Sequence, residues 1–212
     1  MRKGIFAIIA ALALAAVAPA VAQAPAVNLA ISRVGSGPQG TTTTVRYGEL
    51  VRVSGELTNG RPNETVELTV TPYRGETRIV ALRTDSSGDF RWAHRPTIRT
   101  GYTARWSGQP SNQEPYAHVR PKVGLRVVDA RRGVFRMTMM AQPEHVSRVA
   151  WFQRRLRNNR WANVKKVQLR ARNLSARFRV RLPRGTHRVR MFVPQTPGYL
   201  RSTSRFVRVV AR

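Results

Sequence analysis

Cysteine is absent from this 212-residue chain. The absence excludes structural disulfides, Cys-based zinc sites and a lipid carried on a cysteine at an export cleavage point. Acids are scarce in one half: residues 122–212 hold only Asp129 and Glu144, against 24 Lys and Arg. Two carboxylates are too few for a glycosidase pair with supporting ligands. No Gly-x-Ser-x-Gly elbow, His-Glu-x-x-His helix or phosphate-cradling Gly-rich loop occurs. The four histidines, His94, His118, His145 and His187, make no metal-ligand pair at a usable spacing. These absences argue against an enzyme, and no cofactor or metal is expected. Lysine is rare too, at positions 3, 122, 165 and 166 only, so 34 of the 38 cations are arginine. Part of that skew fits a GC-rich genome.

Long apolar runs are also missing. The longest spans residues 5–17, 13 residues behind Arg2 and Lys3 and ahead of Ala20-Val21-Ala22. A membrane span needs about 20 apolar residues. A basic start, a short apolar run and a small-x-small site predict a signal peptide over 1–22, cleaved after Ala22. The mature chain is then secreted or held in the cell envelope or periplasm, without a transmembrane segment. Without disulfides it depends on burial alone, and 190 residues suffice for one large domain or two of about 95.

What is present is alternation. Val51, Val53 and Leu57 alternate with Arg52, Ser54 and Glu56, the period-2 pattern of a half-buried strand. Residues 64–73 repeat it through Val66, Leu68 and Val70. Phe90, Trp92 and His94 follow, then Tyr102, Ala104 and Trp106. Turn-forming clusters separate them at 59–63, 85–89 and 107–110. Asp85 and Asp89 read as a polar hairpin turn, since calcium wants more oxygens. The second half reads alike: Phe135, Met137 and Met139; Val149 and Trp151; Trp161, Val164 and Val167; Phe178, Val180 and Leu182; Val189, Met191 and Val193; and a last strand over 202–210. Short strands at this spacing predict an all-β chain of antiparallel sandwiches. Pro121 is the natural joint, giving domains 23–121 and 122–212.

Some of these runs resemble a known family. Tyr47-Gly48-Glu49-Leu50-Val51-Arg52-Val53-Ser54-Gly55-Glu56-Leu57 resembles the opening of bacterial extracellular immunoglobulin-like repeats. Thr84-Asp85-Ser86-Ser87-Gly88-Asp89-Phe90 is similar to their Thr-Asp-x-x-Gly-x-Phe/Tyr turn, and residues 96–106 to their Pro-Thr-x-x-Thr-x-Tyr-x-Ala-x-Trp stretch. Gly185-Thr186-His187-Arg188-Val189-Arg190 and Pro197-Gly198-Tyr199-Leu200 look like the closing strands of a companion repeat. The likeness covers nearly all of the mature chain and implies two tandem immunoglobulin-like sandwiches. Spacers, adhesins and carbohydrate binders all use such modules, so it implies little about function. In that frame Ala104 occupies the place of the second disulfide Cys. Tyr102 is expected to close a corner by bonding back to the backbone, with Trp92 and Trp106 filling the inter-sheet space.

Alternation also directs the charge. Arg177, Arg179 and Arg181 are expected on one side of a single strand, about 6.8 Å apart. Arg136 joins them from the neighbouring strand. Arg188 and Arg190 line the next strand, and Arg205 and Arg208 the last, on the opposite sheet. The hairpin 151–166 adds Arg154, Arg155, Arg157, Arg160, Lys165 and Lys166 at one end. Both outer faces are then positive. Spacings near the Debye length of about 8 Å let such charges act together on a polyanion. Arginine's planar fork also suits phosphate and carboxylate. The expected partners are anionic cell-envelope polymers, acidic glycans, anionic lipid surfaces, extracellular nucleic acid or an acidic protein. Trp151, Phe152 and Trp161 interleave with Arg as base stacking requires, yet Trp151 and Trp161 are more often core in such repeats. The alternative is a structural spacer or adhesion-type repeat with no specific polyanion ligand, its arginines merely solvated. That account leaves unexplained why residues 23–121 carry eight acids and the second half two.

Overall fold

The computed structural model describes residues 27–58 and 60–211. The expected signal peptide and its cleavage after Ala22 lie outside the described residues. Strands β1 (Val27–Arg33), β2 (Ser36–Gly40), β3 (Thr42–Arg46), β4 (Val51–Leu57) and β5 (Thr65–Pro72) open the chain. They are followed by β6 (Arg78–Arg83), β7 (Asp89–His94), β8 (Thr100–Trp106), β9 (Gln109–Pro110) and β10 (Tyr116–Arg120). After Pro121 come β11 (Lys122–Asp129), β12 (Val134–Met140), β13 (Val149–Arg155) and β14 (Trp161–Gln168). The last four are β15 (Ser175–Arg179), β16 (Gly185–Val193), β17 (Ser202–Thr203) and β18 (Val207–Ala211). Helices are absent among the described residues.

One sheet runs β2-β1-β4-β7, and a second runs β3-β10-β8-β5-β6 with β9 on β8. Beyond Pro121 a sheet β11-β12-β15 accompanies another, β14-β13-β16-β17, with β18 also on β16. Pairing is antiparallel except between β3 and β10, which run parallel in register from Thr42 opposite Tyr116. No sheet mixes strands from the two sides of Pro121. The chain is all-β, with β-sandwiches of the immunoglobulin-like kind in tandem.

Each sandwich closes because alternate side chains point inward. Val27, Leu29 and Ile31 of β1 meet Val51 and Val53 of β4, against Val66, Leu68, Tyr102 and Ala104 of the facing sheet, and all are buried. In the second sandwich Phe135 lies 4.8 Å from Phe152 and 5.9 Å from Phe178, ring centre to ring centre. Buried Met137, Val189 and Met191 surround them. The Asp85 turn is polar as expected, its Oδ1 accepting from the backbone N–H groups of Ser87 and Asp89.

Three expectations need correction. Tyr102 is buried beside Ala104, but its hydroxyl shares a 2.9 Å hydrogen bond with His94 Nδ1, not with the backbone. The partner comes from β7 in the facing sheet, so the tyrosine ties sheet to sheet. Trp92 and Trp106 pack against the core only half-buried. Trp92 stacks on His94, and Trp106 Nε1 donates toward Glu64 Oε2, so each indole sits where its edge stays wet. The expected last strand is two pieces, β17 and β18, because Ser204 turns its hydroxyl onto the Met191 N–H and breaks the run.

The joint around Pro121 is pinned by hydrogen bonds. Buried Tyr199 donates its hydroxyl proton to the Thr97 carbonyl and accepts from the Gln142 N–H at 2.8 Å. Gln142 Nε2 donates to Thr97 Oγ1 at 2.9 Å. The Arg99 N–H donates to the Gly198 carbonyl, and the Leu200 N–H to that of Val119, both at 3.0 Å. The approach is close at Gly198, where a Cβ would come to 2.9 Å from Ile98 Cδ1 and oblige that side chain to shift.

Candidate anion-binding site

The arginines predicted to bind anions fall on two faces of the second sandwich. On the sheet β11-β12-β15, Arg126 lies opposite Arg136, and Arg136 opposite Arg177. Three cations therefore stand in one row across three strands, at the sheet's strand spacing of about 4.8 Å. All three are exposed. Arg179 sits on the same face one step along β15, opposite Val134. Arg181 does not share the strand, since β15 stops at Arg179. It lies instead with Arg131, Arg132 and Arg179 around a cavity of about 440 Å³, floored by Val180, Leu182 and Val209. The nearest acid is committed locally: Asp129 Oδ2 lies 3.8 Å from Arg132 Nε, and its Oδ1 accepts from the Arg132 N–H.

The opposite sheet carries the second face. Arg188 and Arg190 alternate on β16 with buried Val189 and Met191, and Arg188 pairs in register with Arg208 of β18. The Arg188 guanidinium stands 5.3 Å over the Phe206 ring. That of Arg190 stands 4.1 Å from the Trp161 ring centre, and its Nε donates to Gln153 Oε1 at 2.8 Å. Gln153 in turn donates to Asn163 Oδ1 at 2.9 Å. Burial pulls the Arg190 pKa down from its ordinary value, yet a guanidinium stays charged at neutral pH.

Trp151 and Trp161 are thus not core. Ala150 and Phe152 take the inward positions of β13, so Trp151 faces outward opposite Phe192 and Lys166. The Arg190 guanidinium covers the Trp161 indole that the core does not.

The hairpin does not gather its cations at one end. Arg157 and Arg160 are exposed at the turn, where Asn159 adopts φ 62°. Arg154 and Arg155 are half-buried, and Arg155 Nε has no hydrogen-bond partner among the described residues. Lys165 and Lys166 sit further along β14, opposite Phe152 and Trp151. A bulge between Phe152 and Gln153 shifts the register there. Lys165 Nζ donates to the Arg179 carbonyl at 3.0 Å, linking the edges of the two sheets.

The structure brings Arg136, Arg177 and Arg179 together, and separately Lys166, Arg188 and Arg190; it does not join the two sets. Arg126, Arg131, Arg132, Arg120 and Arg201 were not among the expected residues. Alternation marks Arg126, between half-buried Leu125 and Val127, as outward, so its place was readable.

No protein-family model matches this sequence, and no curated protein matches it. Among solved structures, a tetra-tandem repeat from the extending region of a large adhesion protein aligns with 90% of the chain at 16% identity and TM-score 0.40. The chain spans 50% of that structure's length. The FN1–FN3 domains of chicken CNTN1 align with 82% of the chain at 13% identity and TM-score 0.29, over 69% of their own length. The fold assignment rests on the strand pairing itself.

Proposed function

We propose that this chain is a non-catalytic binding module of the bacterial cell surface or envelope, built as domains 23–121 and 122–212, whose second domain contacts anionic polymers. The observation that carries the reading is the row Arg126–Arg136–Arg177. Like charges directly opposite in a sheet are destabilising. None of the three arginines has an ion-pair partner among the described residues, and the acid one row along, Asp129, is taken up by Arg132. The row holds that cost in the free protein and loses it against a polyanion. Acidic glycans and anionic envelope polymers fit an exported chain best. Anionic lipid and extracellular nucleic acid are read as outcomes of the test.

The test uses the exported chain and a variant with Arg126, Arg136 and Arg177 all changed to Gln. Both are titrated at two salt concentrations against heparin, duplex DNA and anionic vesicles. For duplex DNA each phosphate contact contributes about −0.9 to the slope of log K against log salt. The variant is expected to lose about two to three units of slope and at least tenfold in affinity for the preferred polymer. Equal binding by the two proteins overturns the proposal. A second reading, a rigid spacer of the adhesion-repeat kind, draws support from the hydrogen bonds that pin the joint. It requires no polymer retention above background at physiological salt.

A further inference from the structure

A smaller cleft lies where the sandwiches meet, on the outer face of the five-stranded sheet. Its volume is about 260 Å³, and Arg120, Arg190, Phe192, Arg201, Ser202 and Thr203 line it. We infer that this cleft is a discrete site for a tetrahedral oxyanion, the phosphate or sulfate of an ester. The inference goes beyond the polymer-binding reading and stands without it, because it depends on fixed donors and not on summed charge.

Each wall is held in place. Arg190 and Phe192 are two apart on β16, and Phe192 pairs in register with Thr203 of β17. Alternation along 201–203 puts Arg201 on the face of Thr203. Ser202 points the other way, its hydroxyl donating to the Pro121 carbonyl at 2.7 Å. The Leu200 N–H donates to the Val119 carbonyl at 3.0 Å, and the Tyr47 N–H to that of Arg120 at 2.9 Å. These bonds lock the stretch bearing Arg201 against the end of β10, which bears Arg120. The cleft therefore exists only because the two sandwiches are clamped to each other.

Arg190 is positioned before any ligand arrives. Trp161 fixes the guanidinium plane from one side, and Gln153 takes its Nε proton. The two terminal nitrogens are left for a ligand, so little ordering entropy remains to be lost on binding. Neither Arg120 nor Arg201 has an acid partner, since the ion pairs among the described residues involve Arg33, Arg91 and Arg132. No carboxylate lines the cleft.

The geometry selects the ligand. One arginine fork satisfies a planar carboxylate. Three guanidinium groups from three separate segments suit a group presenting oxygens in three directions, with charge enough for several cations. The exposed Thr203 side chain adds a hydroxyl donor. Phe192 offers an apolar wall for the group that carries the ester.

The experiment follows the Arg190 Nε–H resonance of the exported chain in ¹⁵N spectra at physiological salt. Inorganic phosphate, inorganic sulfate and acetate are titrated separately. A saturable shift is expected with phosphate or sulfate, the tighter of the two identifying the ester. Acetate should bind about tenfold more weakly, the loss of one charge-assisted contact. Arg120→Gln and Arg201→Gln, both at exposed positions, should each weaken binding about tenfold. Arg136→Gln on the other face should leave it unchanged, which separates this site from the polymer-binding face. Absence of a saturable shift, or a shift indifferent to Arg120→Gln and Arg201→Gln, overturns the inference. Heparin retention without phosphate binding likewise overturns this site while leaving the polymer reading intact.

Discussion

His94 sits half-buried at the margin of the first sandwich, stacked 4.9 Å from Trp92 and bonded to the Tyr102 hydroxyl at 2.9 Å. Desolvation, and then the nearby charge of Arg78, lower its pKa from 6.5 to about 4. The unfolded chain therefore takes up the His94 proton near pH 6.5, while the folded chain resists until about pH 4. Between those values the unfolded state binds more protons, so stability falls as pH drops. Solvent screening of a half-exposed ring cuts the full linkage value, leaving a loss of about 1–2 kcal/mol. Urea unfolding from pH 7 to pH 4.5 should show a steeper decline for the native chain than for His94→Gln. Parallel declines would exclude His94 as the cause. The sequence marked Tyr102 and Ala104 correctly as core positions, but not the tyrosine's partner. A hydroxyl that reaches across two sheets is a tertiary contact, invisible to local alternation. Tyr199 was hidden for the same reason, since its partners Thr97 and Gln142 lie far away in the chain.

Strands were the most legible feature, because period 2 is imposed by the pleat and a half-buried face cannot tolerate a slip of one residue. β4, β5, β7, β8, β12 and β16 lie where alternation placed them, whereas β15 covers Ser175–Arg179 and only overlaps the expected run through Leu182. β1 to β3 were not expected, although Val27, Leu29 and Ile31 of β1 alternate too. Bulges and strand ends were not legible: the irregularity between Phe152 and Gln153 and the stop of β15 before Arg181 depend on neighbouring strands. Gly55 shows how tightly one strand is held. It lies on β4 between Leu29 of β1 and Phe90 of β7. A Cβ there would collide with the Phe90 ring and the Asn28 carbonyl. Gly55→Ala should cost about 1–3 kcal/mol through this overpacking. Gly40→Ala, where a Cβ meets nothing nearer than 4.0 Å, should stay within about 0.5 kcal/mol. Equal denaturation midpoints for the two variants would show that β4 yields more readily than its packing implies.

A formal charge of +28 makes the folded chain repel itself, and the second half carries most of that burden. Burial must outweigh the repulsion without disulfides, so stability should rise with salt. The Debye length shrinks from about 30 Å at 0.01 M to about 8 Å at 0.15 M, which screens exposed rows such as Arg126–Arg136–Arg177. Arg136→Gln removes the middle charge and with it both like-charge pairs, each costing about 0.2–1 kcal/mol. The variant should therefore be about 0.5–1 kcal/mol more stable than the native chain at 0.01 M salt. At high salt the advantage should fade, and saturating heparin should reverse it by stabilising the native chain more. Urea midpoints for the two proteins, measured across salt and with heparin, test all three statements. A gain independent of salt would assign it to packing and not charge. A loss of stability at low salt would show that the arginine row carries no repulsive cost, removing the physical ground for an anionic partner on that face.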